Sequence, residues 1–229
     1  MTDQPAPRTS RLRRVTGSVW FGPLVALVVI ALVQSFVVKP YYVPSGSMEQ
    51  TLAIGDRILV DRVFVGEPES GDVVVFVASD LWGPADPPPS NPFSYAVKWL
   101  GGIVGIGPSL DHTLVKRIIA GPGQTVSCCD AEGRVLVDGL PLDEPYVFED
   151  LAFETCETSS RCFGEITVPE GEYFVLGDHR SNSNDSIAQC RGRLDPVAAD
   201  DPCLKMVGSA DIVGRAFQVV WPLGRWTGL

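Results

Sequence analysis

An uncharged apolar stretch near the N-terminus constrains the fold more than any other feature of the sequence. Residues 18–38 contain no Asp, Glu, Lys or Arg. As a helix they would extend roughly 31 Å, about the thickness of the hydrocarbon core of a bilayer. Trp20 and the pair Tyr41 and Tyr42 lie near the two ends of the stretch, where aromatic side chains favour the membrane interface. The stretch therefore predicts a transmembrane helix.

Charge is distributed unevenly on the two sides of this stretch. Residues 1–17 carry four arginines and one aspartate, a net charge of +3. The whole chain carries −10, so residues 18–229 carry −13. Basic residues beside a first span favour the cytoplasmic side of the membrane. We therefore expect a single-pass protein of the plasma membrane, with a cytoplasmic N-terminus and a domain outside. An acidic domain repels phosphate, so no nucleic-acid partner is expected.

Three regions follow from this pattern: a basic cytoplasmic tail at 1–17, a transmembrane helix at 18–38 and an extracytoplasmic domain at 39–229. The domain contains a predicted insertion at about 80–112, because the proline-rich segment 86–92 can form neither helix nor inner strand. The apolar residues that follow the prolines either pack on the domain or contact lipid. A cleaved signal peptide is the alternative to the anchor, but the apolar run is long for one and lacks a clear small-x-small cleavage site.

The domain beyond the anchor has the patterns of β-structure. Runs rich in β-branched residues occupy 57–61, 72–77 and 211–221. Hairpin signatures lie between them, one of them at 169–171. No long amphipathic helix is present in the sequence. The pattern predicts a mainly β protein: one N-terminal transmembrane helix followed by an all-β domain of twisted, partly closed antiparallel sheets.

Six cysteines lie beyond the anchor: Cys128, Cys129, Cys156, Cys162, Cys190 and Cys203. An even number of cysteines in an exported domain predicts disulfides. Zinc is not expected, because the sequence has no C-x-x-C pair and only two histidines, His112 and His179.

The spacing of the cysteines suggests a pairing. Cys190 and Cys203 flank a short segment with two Asp-Pro pairs, so we expect a local bridge between them. One of the adjacent cysteines at 128 and 129 should then pair with Cys156 or Cys162. A bridge between two adjacent cysteines is strained and is not expected.

A candidate nucleophile, Ser47, lies in the pentapeptide PSGSM at 44–48, nine residues after the apolar stretch. A serine hydroxyl needs a base, which is usually a histidine. Nothing in the spacing of His112 or His179 supports a triad, and lysine is the other known base. Lys116 lies in a β-type run where burial would lower its pKa, unless its head group reaches water.

Several motifs occur together after the anchor. They are PSGSM at 44–48, LAIGD at 52–56, GDVVVF at 71–76, VKR at 115–117 and GDHRSNSNDS at 177–186. In combination this pattern, from the anchor to Ala216, resembles the bacterial type I signal peptidases. The resemblance implies a serine endopeptidase, without metal or organic cofactor, that acts as a monomer. Its partners would be membrane lipid and the signal peptides of exported preproteins, cut after a small-x-small sequence.

The resemblance also implies a role for individual residues. Ser47 matches the nucleophile and Lys116 the general base. The Ser45 hydroxyl and the Ser47 backbone N–H match the oxyanion hole, and Ser183 matches the serine that hydrogen-bonds the lysine amine and orients it. The residues that match a supporting salt-bridge network are Asp178, Arg180, Asp185 and Arg117. The residues expected to line shallow apolar substrate pockets are Val43, Leu52 and Val115.

Three positions depart from the family pattern. His179 replaces an asparagine, Ser181 replaces an aspartate, and Ile187 stands where an arginine is common. The first two changes leave the nucleophile, the base and the orienting serine intact. The third leaves Asp185 without its usual supporting arginine.

Other functions fit the sequence less well. Penicillin-binding enzymes need Ser-x-x-Lys on one helical turn, and the chain contains no such tetrapeptide. Self-cleaving repressors share the serine and lysine, but they need a DNA-binding region where this chain has an apolar stretch. A catalytically inactive, membrane-anchored β module that binds a protein partner remains the alternative.

Overall fold

A computed structural model describes residues 19, 21–63, 66–83, 91–92, 112–148 and 150–229. The predicted cytoplasmic tail and most of the predicted insertion lie outside the described residues.

The apolar stretch forms helix α1 (Phe21–Phe36), and most of its described side chains are exposed. Strand β1 begins at Val38, so the chain changes from helix to strand within the predicted segment 18–38. In the part of the chain that the structure describes, no helix has both the length and the apolar character needed to cross a membrane.

The larger sheet has eight strands, all paired antiparallel. Its path is β1-β2-β11-β3-β4-β9-β10, and β12 pairs with β11. These strands are β1 (Val38–Tyr42), β2 (Arg57–Asp61), β3 (Val73–Val77), β4 (Thr113–Ala120), β9 (Glu172–Leu176), β10 (Val207–Gly208), β11 (Ile212–Trp221) and β12 (Thr227–Gly228).

The smaller sheet has four antiparallel strands in the order β7-β6-β5-β8. They are β5 (Thr125–Cys128), β6 (Val135–Val137), β7 (Leu140–Pro141) and β8 (Phe163–Thr167). Short 3-10 helices lie at Asp80–Trp82, Arg180–Asn182, Ser209–Asp211 and Leu223–Arg225. The prediction of a mainly β protein with antiparallel sheets is therefore confirmed.

The alternation of side chains along β3 separates two hydrophobic clusters. Val73 and Val75 join a cluster that includes Met48 and Leu52, whereas Val74 and Phe76 join a second cluster on the other side. This is the period of two expected for a strand that is buried on both faces. A third cluster joins strands of both sheets and holds the smaller sheet against the larger one.

Two details of the predicted topology differ from the structure. The strands of the described residues follow an open path, so the partial closure predicted for the sheets is not seen among them. The turn at 169–171 does not close a hairpin, because β8 pairs with β5 and β9 pairs with β4. It instead carries the chain from the smaller sheet to the larger one.

The disulfides agree only in part with the pairing expected from spacing. The structure joins Cys190 to Cys203 as predicted. It also joins Cys156 to Cys162 and the adjacent Cys128 to Cys129. The expected pairing of Cys128 or Cys129 with Cys156 or Cys162 was therefore wrong, because each bridge joins two successive cysteines of the sequence. Cys129 Sγ nevertheless lies 3.7 Å from Cys162 Sγ.

Removal of the Cys190–Cys203 bridge should destabilise the domain. The bridge closes a loop with a sequence separation of 13, for which constraint of the unfolded chain is worth about 3 kcal/mol. We expect the double change Cys190→Ser and Cys203→Ser to lower the free energy of unfolding by about that amount. Denaturant unfolding under oxidising conditions measures the change. An unaltered unfolding midpoint would contradict a formed bridge.

Candidate active site

Ser47 lies on a tight turn between β1 and β2. The Glu49 N–H donates to Gly46 O at 3.1 Å, and the Leu52 N–H donates to Met48 O at 2.7 Å. The side chains of Met48 and Leu52 are buried in the hydrophobic cluster beneath the turn. These two anchors hold the turn on the domain and leave Ser47 half-buried at its surface.

Lys116 projects from β4 to the hydroxyl of Ser47. Its Nζ donates to Ser47 Oγ at 2.7 Å and to Val115 O at 3.2 Å. Only 3% of Lys116 is exposed. Burial lowers the pKa of Lys116 from its ordinary value near 10.5 to about 8, although the negative charges of Asp185 and Asp178 oppose this shift. The amine is therefore neutral at mildly alkaline pH and able to accept a proton.

Asp178 is buried beside the turn that carries Ser47, where it forms a two-point ion pair with Arg117. Arg117 Nε donates to Asp178 Oδ1 at 2.9 Å, and Nη2 donates to Oδ2 at 2.6 Å. Thr51 Oγ1 also donates to Asp178 Oδ2, at 2.6 Å. The ring of Tyr146 lies 3.8 Å from Arg117 Cζ, so it covers the guanidinium. This cluster links the turn that carries Ser47 to β4.

The segment after β9 packs against the backbone of Ser47. The His179 N–H donates to Ser47 O at 3.1 Å. A Cβ added at Gly177 would lie 2.5 Å from Ser47 O and would overlap Ser183 Oγ. Gly177 is therefore needed for this close approach.

The side chain of His179 contacts the same turn. Its Nδ1 lies 3.0 Å from Glu49 Oε2 and 3.3 Å from Gly46 O. The hydrogen-bond partner that the structure gives to Ser47 Oγ is Lys116 Nζ. The histidine thus contacts the turn that carries Ser47, and the lysine contacts the Ser47 hydroxyl.

Arg180 is buried and ties the 177–185 loop to a distant segment. Its Nε donates to Gly177 O at 3.0 Å, and its guanidinium forms an ion pair with Glu144. The hydroxyl of Tyr146 donates to the same glutamate at 3.1 Å. The loop is therefore supported from the segment that follows β7.

The structure shows where the two accessory serines lie. Ser45 is exposed on the same turn as Ser47. Ser183 Oγ is buried and has no hydrogen-bond partner among the described residues. The hydrogen bond predicted between Ser183 and Lys116 is not made in this structure.

The three residues predicted to line substrate pockets belong to one hydrophobic cluster. Val43 and Leu52 are buried within it, and Val115 packs against it with partial exposure. Val115 is the member of the set with a surface that a substrate could touch.

Asp185 has a partner that the motifs do not contain. Arg191 Nη2 donates to both oxygens of Asp185, at 3.1 and 3.0 Å. Arg191 lies in the segment after the GDHRSNSNDS motif at 177–186, beside Cys190. Arg191 therefore provides the positive charge beside Asp185 that the uncharged Ile187 cannot provide.

Sequence reasoning missed four residues of the site: Thr51, Glu144, Tyr146 and Arg191. Thr51 is the one with a sequence signal, because it lies on the same short turn as Ser47. The other three approach the site from segments that are remote or irregular, and no periodicity marks them.

A comparison with protein families gives the decisive match. The family model described as signal peptidase, peptidase S26, matches residues 18–221. The chain belongs to this family. The resemblance inferred from the motifs is thereby confirmed, and the chain is a serine endopeptidase. Signal peptidase I enzymes are associated with membranes in bacteria.

Individual relatives agree with the family match. Signal peptidase I of Mycobacterium tuberculosis (strain ATCC 25618 / H37Rv) is 36% identical over 241 residues, which cover 98% of this chain and 78% of that protein. Probable signal peptidase I-1 of Synechocystis sp. is 36% identical over 205 residues, which cover 89% of this chain and 81% of that protein. The chain in a crystal structure of a signal peptidase I from Enterococcus faecalis V583 is 22% identical in sequence, and the match covers 66% of this chain and 98% of that chain. The TM-score of that match is 0.35.

Proposed function

We propose that this protein removes N-terminal signal peptides from exported preproteins after a small-x-small site, with Ser47 as nucleophile and Lys116 as general base. The contact of 2.7 Å between Lys116 Nζ and Ser47 Oγ is the observation that supports this assignment most strongly. Burial of the lysine adds to it, because desolvation lowers the lysine pKa to about 8 and leaves the amine neutral at mildly alkaline pH.

Acyl transfer follows from this geometry. The neutral Lys116 amine takes the proton of the Ser47 hydroxyl as Oγ attacks the scissile carbonyl carbon. Negative charge develops on the carbonyl oxygen, where the Ser47 backbone N–H and the Ser45 hydroxyl would donate hydrogen bonds. The Lys116 ammonium then protonates the leaving amine of the mature protein, and the signal peptide stays bound to Ser47 as an ester.

Hydrolysis of the ester reverses these roles. Lys116 takes a proton from a water molecule, which attacks the ester carbonyl, and returns a proton to Ser47 Oγ as the bond breaks. The cycle consumes one water molecule and needs no metal or organic cofactor.

The supporting groups keep the reacting atoms in place. Asp178 and Arg117 neutralise each other beside Lys116, and Thr51 joins them to the nucleophile turn. The buried hydroxyl of Ser183 has an unused hydrogen-bonding capacity, so we assign it to orienting the lysine amine during the reaction. Val115, with Val43 and Leu52 behind it, would form the apolar surface that accepts small side chains.

The topology that we assign keeps the active site near a membrane. Residues 1–17 would be cytoplasmic, the apolar stretch that contains α1 would form the anchor, and the domain from β1 onward would lie outside the plasma membrane. The charge difference across the apolar stretch supports this orientation. Eleven residues lead from the end of α1 at Phe36 to Ser47, a span of roughly 40 Å at most.

The pH dependence of cleavage tests the base. Lys116 must be neutral to act, so kcat/KM should rise with pH along one ionisation with a midpoint near the lysine pKa of about 8. Activity is lost as the pH falls below this value because the amine becomes protonated. Initial rates on a precursor with an Ala-x-Ala site measure the profile. A flat profile from mildly acidic to alkaline pH, with chemistry rate-limiting, would exclude lysine as the titrating group.

Cleavage of a purified precursor tests the function directly. The wild-type protein should release the mature chain at the Ala-x-Ala site, and Ser47→Ala should not. Ser160→Ala is a matched control, because Ser160 is exposed and lies outside the site. A folded wild-type protein that binds the precursor without cutting it would favour the inactive β module instead.

A further inference from the structure

The loop closed by the Cys190–Cys203 disulfide is in contact, near each of its own two ends, with the 177–185 loop. At its start, Arg191 donates to both carboxylate oxygens of Asp185, at 3.1 and 3.0 Å. Just beyond its end, Lys205 Nζ donates to Asn184 Oδ1 at 2.6 Å. The disulfide joins these two ends. The disulfide loop therefore holds the part of the 177–185 loop that surrounds Asp185.

Asp185 needs a counter-charge for two reasons. It has no exposed surface, and an unpaired buried carboxylate is costly. Its negative charge also acts on Lys116, where it is the larger of the two effects that oppose the lowering of the lysine pKa. The second such effect comes from Asp178, which is already paired with Arg117.

The sequence position expected to supply this counter-charge does not do so. Ile187, two residues after Asp185, is uncharged, has no exposed surface and packs in the hydrophobic cluster between the sheets. The backbone around Arg191 is held in place: the Cys190 N–H donates to Ile187 O at 2.8 Å, and the Gly192 N–H donates to Cys162 O at 2.7 Å. Arg191 is thus anchored on both sides while it reaches Asp185.

We infer that Arg191 is a positioning residue for the catalytic base, and that the loop closed by the Cys190–Cys203 disulfide holds its guanidinium on Asp185. This inference rests on the proposed function, in which Lys116 is the base. Arg191 acts through Asp185 and does not touch the reacting atoms.

The charged groups around the base determine what loss of Arg191 would do. The charges of Asp178 and Asp185 both act on Lys116. Asp178 is paired with Arg117, the neighbour of Lys116 on β4. Asp185 is paired with Arg191. The charge of Asp185 also acts on Lys205. Without the guanidinium, the negative charge of Asp185 acts on Lys116 with less compensation. The ammonium form of the lysine is then favoured, so its pKa rises.

The experiment compares Arg191→Gln with Arg193→Gln, a matched control in the same loop. Arg193 pairs with Asp201 at 2.9 Å on the surface and makes no contact with Asp185 among the described hydrogen bonds and ion pairs. For Arg191→Gln we expect the midpoint of the pH profile of kcat/KM to rise by about one pH unit. The rate at pH 7 should fall about tenfold, and most of it should return at high pH. Arg193→Gln should keep the wild-type midpoint.

A second measurement separates this inference from the proposed function. The titration of Lys116 can be followed by NMR of lysine labelled with ¹³C at Cε, without any cleavage assay, and the Lys116→Ala variant assigns its signal. Arg191→Gln should raise the titration midpoint, and Arg191→Lys should stay closer to wild type. Failure of wild-type cleavage, or persistence of cleavage in Ser47→Ala, would overturn the function alone.

A double variant tests the same role of Arg191 if Arg191→Gln folds poorly. In the double variant Asp185→Asn and Arg191→Gln the uncompensated charge is absent, so the Lys116 midpoint should return to the wild-type value or lower. An Arg191→Gln midpoint equal to that of wild type and Arg193→Gln would overturn the positioning role. So would a rate loss that is equal at every pH, because that pattern indicates a merely structural role.

Discussion

Replacement of Lys116 by alanine should abolish cleavage, with a loss in kcat/KM of about 10⁴-fold or more. The lysine amine is the group in contact with Ser47 Oγ, and a serine hydroxyl without a base is a poor nucleophile. Ser47→Ala should have an equally large effect, and the double variant should be little worse than either single one, because the two residues act as a unit. Cleavage of an Ala-x-Ala precursor over long incubation measures these losses.

A matched lysine variant controls for the change of charge. Lys39 lies on β1 and is half-buried, and its Nζ lies 5.1 Å from the centre of the Tyr41 ring. Lys39→Ala should keep near wild-type activity. Retained activity in Lys116→Ala would transfer the role of base to another group, with His179 as the first to be examined because it contacts the same turn. In that event the assignment of a serine–lysine pair would be wrong.

A single added methyl group at Gly177 should also inactivate the enzyme. The new Cβ would overlap Ser183 Oγ and lie 2.5 Å from Ser47 O, so the nucleophile turn or the 177–185 loop must move. A displacement of about 1 Å in a catalytic group costs on the order of 10²-fold in rate. We therefore expect Gly177→Ala to lower kcat/KM by at least about 10²-fold.

Gly121→Ala is the matched control for this change. The nearest atom to a Cβ at Gly121 is Tyr173 Cε1 at 3.6 Å, an ordinary contact, and neither glycine requires a left-handed backbone. Gly121→Ala should therefore keep its activity. Thermal unfolding of both variants distinguishes displacement of the site from loss of the fold. Wild-type kinetics in Gly177→Ala would show that the close contact with Ser47 is not needed.

The disulfides and the turn at 169–171 show where local reasoning failed. Proline and glycine at 169–171 indicate a change of direction, and the chain does turn there. Whether the next strand pairs with the previous one or joins another sheet depends on which edges are available, and β9 pairs with β4. The pairing of Cys156 with Cys162 likewise depends on how their irregular segment folds.

Local patterns in the sequence determined much of the fold and part of the site. Runs of β-branched residues gave β2, β3 and β11 close to their observed bounds, because side-chain alternation and strand propensity act over a few residues. The motifs around Ser47 and Lys116 identified the two residues that the structure brings within 2.7 Å.

Only the tertiary structure decided how the charges of the site are balanced. The sequence alone left open whether Lys116 lies in water or is buried, and burial lowers its pKa to about 8. Nor could it provide Arg191 as the partner of Asp185, since Ile187 occupies the expected position. A charge interacts with whatever the fold brings within a few ångströms, whatever the separation along the chain. The sequence by itself therefore determined which groups can react, and packing decided which of them meet and in which protonation state.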